Sequence, residues 1–170
     1  AMVGTGVINA VTSTKSAKES VNLVYVQWDS EVASSNVLAE AMREHGYNVK
    51  LTPLDNSIMW QSVANGQADA SVSAWLPNTH AAQYKKYKDQ IDLLGPNLTG
   101  ATTGFVVPSY MNVQSISDLT TQAGKTVTGI EPGAGVMKSA DKALADYGLK
   151  EQGWTVTPSS SGAMAVALGK

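Results

Sequence analysis

From residue 21 onward the apolar and polar positions of the chain switch repeatedly between two periods. NLVYVQW (22–28) is a short apolar run of the kind that forms a buried strand. DSEVASS (29–35) supplies polar groups able to cap a helix, and Val37, Leu38, Ala41 and Met42 then recur at helical spacing until Gly46. VKLTPL (49–54) reads as a second strand, and Asp55, Asn56 and Ser57 can cap the helix after it. That helix directs Ile58, Met59 and Val63 to a core and closes at Gly66. ADASVSAW (68–75) alternates into a third strand ending at Trp75. Strand, helix, strand, helix, strand with short links predicts a parallel sheet covered by helices.

The order then begins again. KTVTGI (125–130) is a strand, EPGAG (131–135) a glycine-rich turn, and VMKSADKALADY (136–147) a helix stopped by Gly148, with Val136, Ala140, Ala143, Leu144 and Tyr147 on one face. WTVTP (154–158), SSSG (159–162) and AMAVALGK (163–170) supply another strand, cap and helix. By the logic of the repeat the second unit still lacks a strand equivalent to ADASVSAW, so its lobe is expected to be incomplete, with an open sheet edge able to drive self-association. The connector carries an expected strand at GFVV (104–107) and a helix start at SISD, where Ser115 and Asp118 can form a capping box. The expected division is a flexible tail over 1–20, lobe one over 21–103 and lobe two over 104–170, an α/β protein with a cleft between its lobes.

Composition narrows the function. A formal net charge of −2 with scattered lysines argues against nucleic acid or an anionic membrane as the main partner. The absence of cysteine excludes disulfides and thiol catalysis. With two histidines, no HExxH and no cysteine pair, no zinc site is recognisable. Neither metal nor cofactor is expected.

One phenylalanine against four tryptophans is the unusual count. Ligands of open α/β sheets lie at the carboxyl ends of strands, and two of those ends carry Trp28 and Trp75. Valine or isoleucine would serve a sheet interior better, whereas indole faces attract cations. A quaternary ammonium group suits them because it donates no hydrogen bond. The turn EPGAGV opens a helix, so the amides of Gly135 and Val136 offer unpaired donors to an anion, and His80 can add another. A cation cage on one lobe and an anion nest on the other would draw both around a zwitterion. Packing alternatives stand beside these readings: Trp28 and Trp75 could serve the core, His80 could be a solvated helix start, and Ser159 to Ser161 could simply cap a helix. Trp60 and Trp154 are read as structural, His45 as a helix C-terminal cation, and YKKYKDQ (84–90) as a solvated helix face.

WDSEVAS (28–34), SAWLPNTH (73–80), LGPNLTG (94–100), GFVVPSYMNVQSISDL (104–119), GIEPGAGVM (129–137) and SSSGAM (159–164) together resemble the glycine betaine substrate-binding proteins of osmoregulatory ABC importers. The resemblance implies a two-lobed fold of the periplasmic-binding-protein type (type II) and no enzymatic activity. It also implies delivery of glycine betaine or a similar methylated zwitterion to an ABC permease, outside the cytoplasm, by a protein that is periplasmic or attached to the membrane by an anchor or by fusion to the permease. Trp28 and Trp75 would wall the trimethylammonium group, while His80 and the amides of Gly135 and Val136 would hold the carboxylate. Family members continue to a Gly-Trp-x-Pro-His-Trp stretch with a third wall, which is not found in this sequence. Two other classes remain open at this level: a module for small oxyanions, using the serine and glycine helix starts, and a serine hydrolase built on Ser159 to Ser161, His80 and Asp29. The second lacks a GxSxG elbow.

Overall fold

The computed structural model describes residues 19–169. The expected tail over 1–20 falls outside them except for its last two positions. Strand β1 (Ser20–Tyr25) pairs in parallel with β2 (Asn48–Pro53), Leu23 standing opposite Leu51. Helix α1 (Asp29–Glu44) crosses between them, the right connection for two parallel neighbours. Helix α2 (Asn56–Ala64) follows, then α3 (Ala81–Tyr87). A second parallel pair, β3 (Thr126–Thr128) and β4 (Thr155–Thr157), is spanned by α4 (Gly135–Asp146) and followed by α5 (Ser161–Leu168).

Each pair gathers its own apolar residues. Val24, Val26, Met59, Trp60 and Tyr87 pack together beneath β1, with Leu23, Ala39 and Val49 on its other side. Val113, Leu119, Leu144, Leu149 and Trp154 form the core around β3 and β4. Met59 and Trp60 are almost fully buried, each contributing about 2–3 kcal/mol by leaving water. Trp154 keeps its indole N–H satisfied on the Thr120 carbonyl at 3.2 Å. Gly46, Gly66 and Gly148 end α1, α2 and α4 with φ of 88°, 74° and 65°, a left-handed turn that any side chain would strain.

Several local expectations are corrected. The third strand shrinks to a single parallel bridge between Leu23 and Ala70, because beyond it the Ser71 hydroxyl accepts the Ser73 amide and bends the backbone out of the ladder. GFVV forms no strand: 101–108 carry no regular structure and Val106 is 73% exposed, an apolar run with no neighbour to pair with. On α1 the inward stripe is Glu31, Ser35 and Ala39, so Val37 faces out, and Ile58 of α2 and Tyr147 of α4 are likewise exposed. Neither α1 nor α2 has a side-chain cap; their N-cap residues are Trp28 and Asp55. The expected capping box does form, with Ser115 and Asp118 opening a short 3-10 turn (Ile116–Asp118).

Candidate functional site

The turn after β1 ends at Trp28, the N-cap of α1. Trp28 is half-buried, packed against the cluster under β1. Trp75 stands at the end of the segment that leaves Ala70, also half-buried, just before Leu76, Pro77 and the turn into α3. His80 is the N-cap of α3 and is fully buried, which removes the reading of a solvated helix start.

His80 ties these rings together. Its Nδ1 accepts the Trp75 backbone N–H at 3.0 Å, and its own backbone N–H donates to the Trp75 carbonyl at 2.8 Å. Its ring stacks beside Trp28 with centroids 6.0 Å apart and 28° between planes, and meets Trp60 edge to face at 5.6 Å and 84°. With Nδ1 acting as acceptor, the neutral ring carries its proton on Nε2, and that buried atom has no partner among the described residues. Burial pushes the His80 pKa down to about 4, against a smaller upward pull from the backbone of Ser73. At neutral pH the residue is therefore an uncharged donor with an unused N–H.

The second lobe brings its helix start to the same place. At α4 the N–H groups of Gly135 and Val136 are too early in the helix for intrahelical acceptors, and no described residue accepts from them. Gly135 is packed so closely that a Cβ there would lie 2.4 Å from the Thr79 carbonyl oxygen and 3.1 Å from His80 Cδ2. Only glycine fits that approach. The Asn56 side chain crosses from α2 to donate to the Gly133 carbonyl at 3.1 Å, locking the turn ahead of α4 against lobe one. Of the five residues expected from sequence, His80 meets the ring of Trp28 and the backbone of Trp75, and Gly135 lies against Thr79 and His80 with Val136 next in the chain.

Two carboxylates were given no role of their own in the sequence reading. Trp75 Nε1 donates to Glu31 Oε1 at 2.7 Å, and Trp28 Nε1 donates to Glu131 Oε1 in a short bond across the lobes. Glu31 lies three residues after Trp28, and Glu131 directly precedes the Pro-Gly turn. An acidic residue inside each aromatic or glycine-rich motif was the available signal. A surface groove of about 380 Å³ lined by Leu76, Tyr84, Lys85 and Leu93 contains none of the five; a smaller hollow of about 70 Å³ reaches Trp75 and Thr79. The groove offers apolar walls without convergent polar groups, so the chemistry lies with the tryptophans and not there.

The serine hydrolase is not assembled. Ser159 Oγ donates to the Gly129 carbonyl at 2.6 Å, Ser160 caps α5 through the Ala163 amide, and His80 Nδ1 is oriented by a backbone N–H instead of an aspartate. Among the described residues no cluster of side chains could hold a metal ion.

The chain is similar to several solute-binding proteins of known kind. A lactococcal OpuAC crystal structure, closed and complexed with glycine betaine, is 66% identical and superposes with a TM-score of 0.85 over 89% of this chain and 59% of its own. The glycine betaine and L-proline binding protein ProX of Borrelia burgdorferi is 36% identical with a TM-score of 0.82, over 88% of this chain and 57% of its own. The glycine betaine/carnitine transport binding protein GbuC of Listeria monocytogenes serotype 1/2a (strain 10403S) is 50% identical over 104 residues, 61% of this chain and 35% of that protein. The chain thus spans between about one third and three fifths of the length of these relatives. Its fold is the two-lobed α/β fold of type II periplasmic binding proteins. The family model for the substrate-binding domain of ABC-type glycine betaine transport systems matches residues 19–170, and the chain belongs to that family.

Proposed function

We propose that this chain captures glycine betaine or a closely related quaternary-ammonium osmolyte between its lobes and delivers it to an ABC permease on the outer side of the cytoplasmic membrane. The trimethylammonium group lies against the faces of Trp28 and Trp75, each worth about 0.5–2 kcal/mol when desolvated. The carboxylate sits on the N–H groups of Gly135 and Val136 and on His80 Nε2. Lobe one, over 21–103, contributes the aromatic walls, and lobe two, over 104–170, the helix start. Among the described residues no helix is long and apolar enough to cross a membrane.

The observation that carries this reading is the fully buried His80 Nε2–H without an acceptor, beside an indole face and two free helix-start amides. A buried donor left unpaired is unfavourable by about 1–3 kcal/mol, and a ligand carboxylate relieves it. The oxyanion module would use the same donors but give the tryptophans no work. Titration of the intact protein separates the two: betaine binding with a change in tryptophan emission is expected. Binding of sulfate or phosphate in place of betaine, with emission unchanged, would replace the reading by the oxyanion module.

A further inference from the structure

We infer that Glu31 and Glu131 are specificity-determining positioning residues: by accepting the indole N–H of Trp75 and of Trp28 they fix both rings and lend them negative charge, so that the site selects a cation over a neutral group of the same shape. This rests on the cage assignment proposed above and concerns residues outside it.

Glu31 is 4% exposed, and both its oxygens accept hydrogen bonds, Oε1 from Trp75 Nε1 at 2.7 Å and Oε2 from Ser30 Oγ at 2.6 Å. Glu131 is half-buried and receives Trp28 Nε1 from the opposite lobe. Every ion pair among the described residues lies elsewhere: Arg43 with Glu40, Lys142 with Asp146, and Lys150 with Asp141. Glu31, withdrawn from water without a cationic partner, is an unfavourable arrangement for folding alone, and half-buried Glu131 likewise has no ion pair among the described residues. Both sit on the indole edges of the two rings that face the proposed cation. A carboxylate on the N–H edge pushes electron density into the indole and deepens the negative potential of its face, which is the source of cation attraction. The cation in turn supplies the missing positive charge at short range, in a site where water screens little. Glu131 adds a second duty, because its bond to Trp28 exists only while the lobes are together.

The test compares glycine betaine with 3,3-dimethylbutanoate, its carbon isostere, which keeps the shape and the carboxylate but carries no positive charge. Calorimetric titration of the intact protein and of its Glu31→Gln and Glu131→Gln variants is the measurement. Glutamine keeps an accepting oxygen and the size while removing the charge. The expected result is a loss of betaine affinity of about tenfold for each variant, with isostere affinity unchanged or raised, since a repelling charge has gone. Retained isostere binding also certifies that each variant is folded. An equal loss for both ligands would make the glutamates mere supports, and no change for either would remove their role; each overturns the inference while leaving the cage standing. Wild-type protein that binds the isostere as well as betaine would overturn the cage assignment itself, and this inference with it.

Discussion

A buried imidazole held neutral is the most sharply defined residue in the proposed site, and it makes the site sensitive to acid in a definite direction. The His80 pKa of about 4 lies below its ordinary 6.5. Between those values the unfolded chain takes up a proton that the folded chain refuses. The contribution of His80 to stability is therefore complete above pH 6.5, declines as pH falls, and is exhausted below about 4, with a size on the order of 3 kcal/mol. Nitrogen-detected NMR should show the His80 ring as the Nε2–H tautomer with a midpoint near 4, moving upward when a carboxylate ligand occupies the site; a midpoint near 6.5 without ligand would contradict the burial. The tryptophans give a second residue-level expectation. Trp28→Ala or Trp75→Ala should weaken betaine binding by roughly 1–3 kcal/mol in calorimetry, and unchanged affinity in both would remove the cage. Trp28 and Trp75 stood out in the sequence because indole is out of character at the end of an expected parallel strand, although Trp75 lies beyond the Leu23–Ala70 bridge and ends no strand. The carboxylates on their N–H edges did not stand out, since spacing along the chain does not reveal that Glu131 meets an indole 103 residues away.

At the scale of elements, glycine decides how closely α4 can approach the turn before α3. A methyl group at position 135 would lie 2.4 Å from a backbone oxygen that has no rotamer to yield. Gly135→Ala should therefore lower ligand affinity tenfold or more while the melting temperature of the unliganded protein changes by a few degrees at most, because α4 itself favours alanine. Affinity within twofold of wild type would mean that this helix start is not where the ligand's acidic end lies. Strand and helix order around β1, β2, β3 and β4 followed from hydrophobic period and glycine stops. What period could not give was the phase of α1, where Glu31 and the small residues Ser35 and Ala39 pack inward and Val37 points out. Helix packing against a short parallel pair rewards close approach, and a valine on that face would hold the helix off. GFVV failed as a strand for want of a neighbour: an apolar run describes a preference, and a ladder requires a partner.

For the whole molecule the decisive feature is that two separate apolar cores are brought into register by polar groups. Asn56 reaches the Gly133 carbonyl, Trp28 reaches Glu131, and Thr79 with His80 receives Gly135. These contacts are polar or backbone contacts and not a joint apolar core, an arrangement compatible with the lobe movement that the proposed capture would need. The two-unit plan was legible as a repeat of strand, turn and helix. The closure contacts were not, because they join positions that share no local pattern. The most direct test is a crystal structure of the intact protein with glycine betaine bound. The account predicts the trimethylammonium group against the faces of Trp28 and Trp75, and the carboxylate within hydrogen-bond reach of Gly135 N, Val136 N and His80 Nε2. Betaine seated elsewhere, with those two rings in contact only with protein, would contradict it.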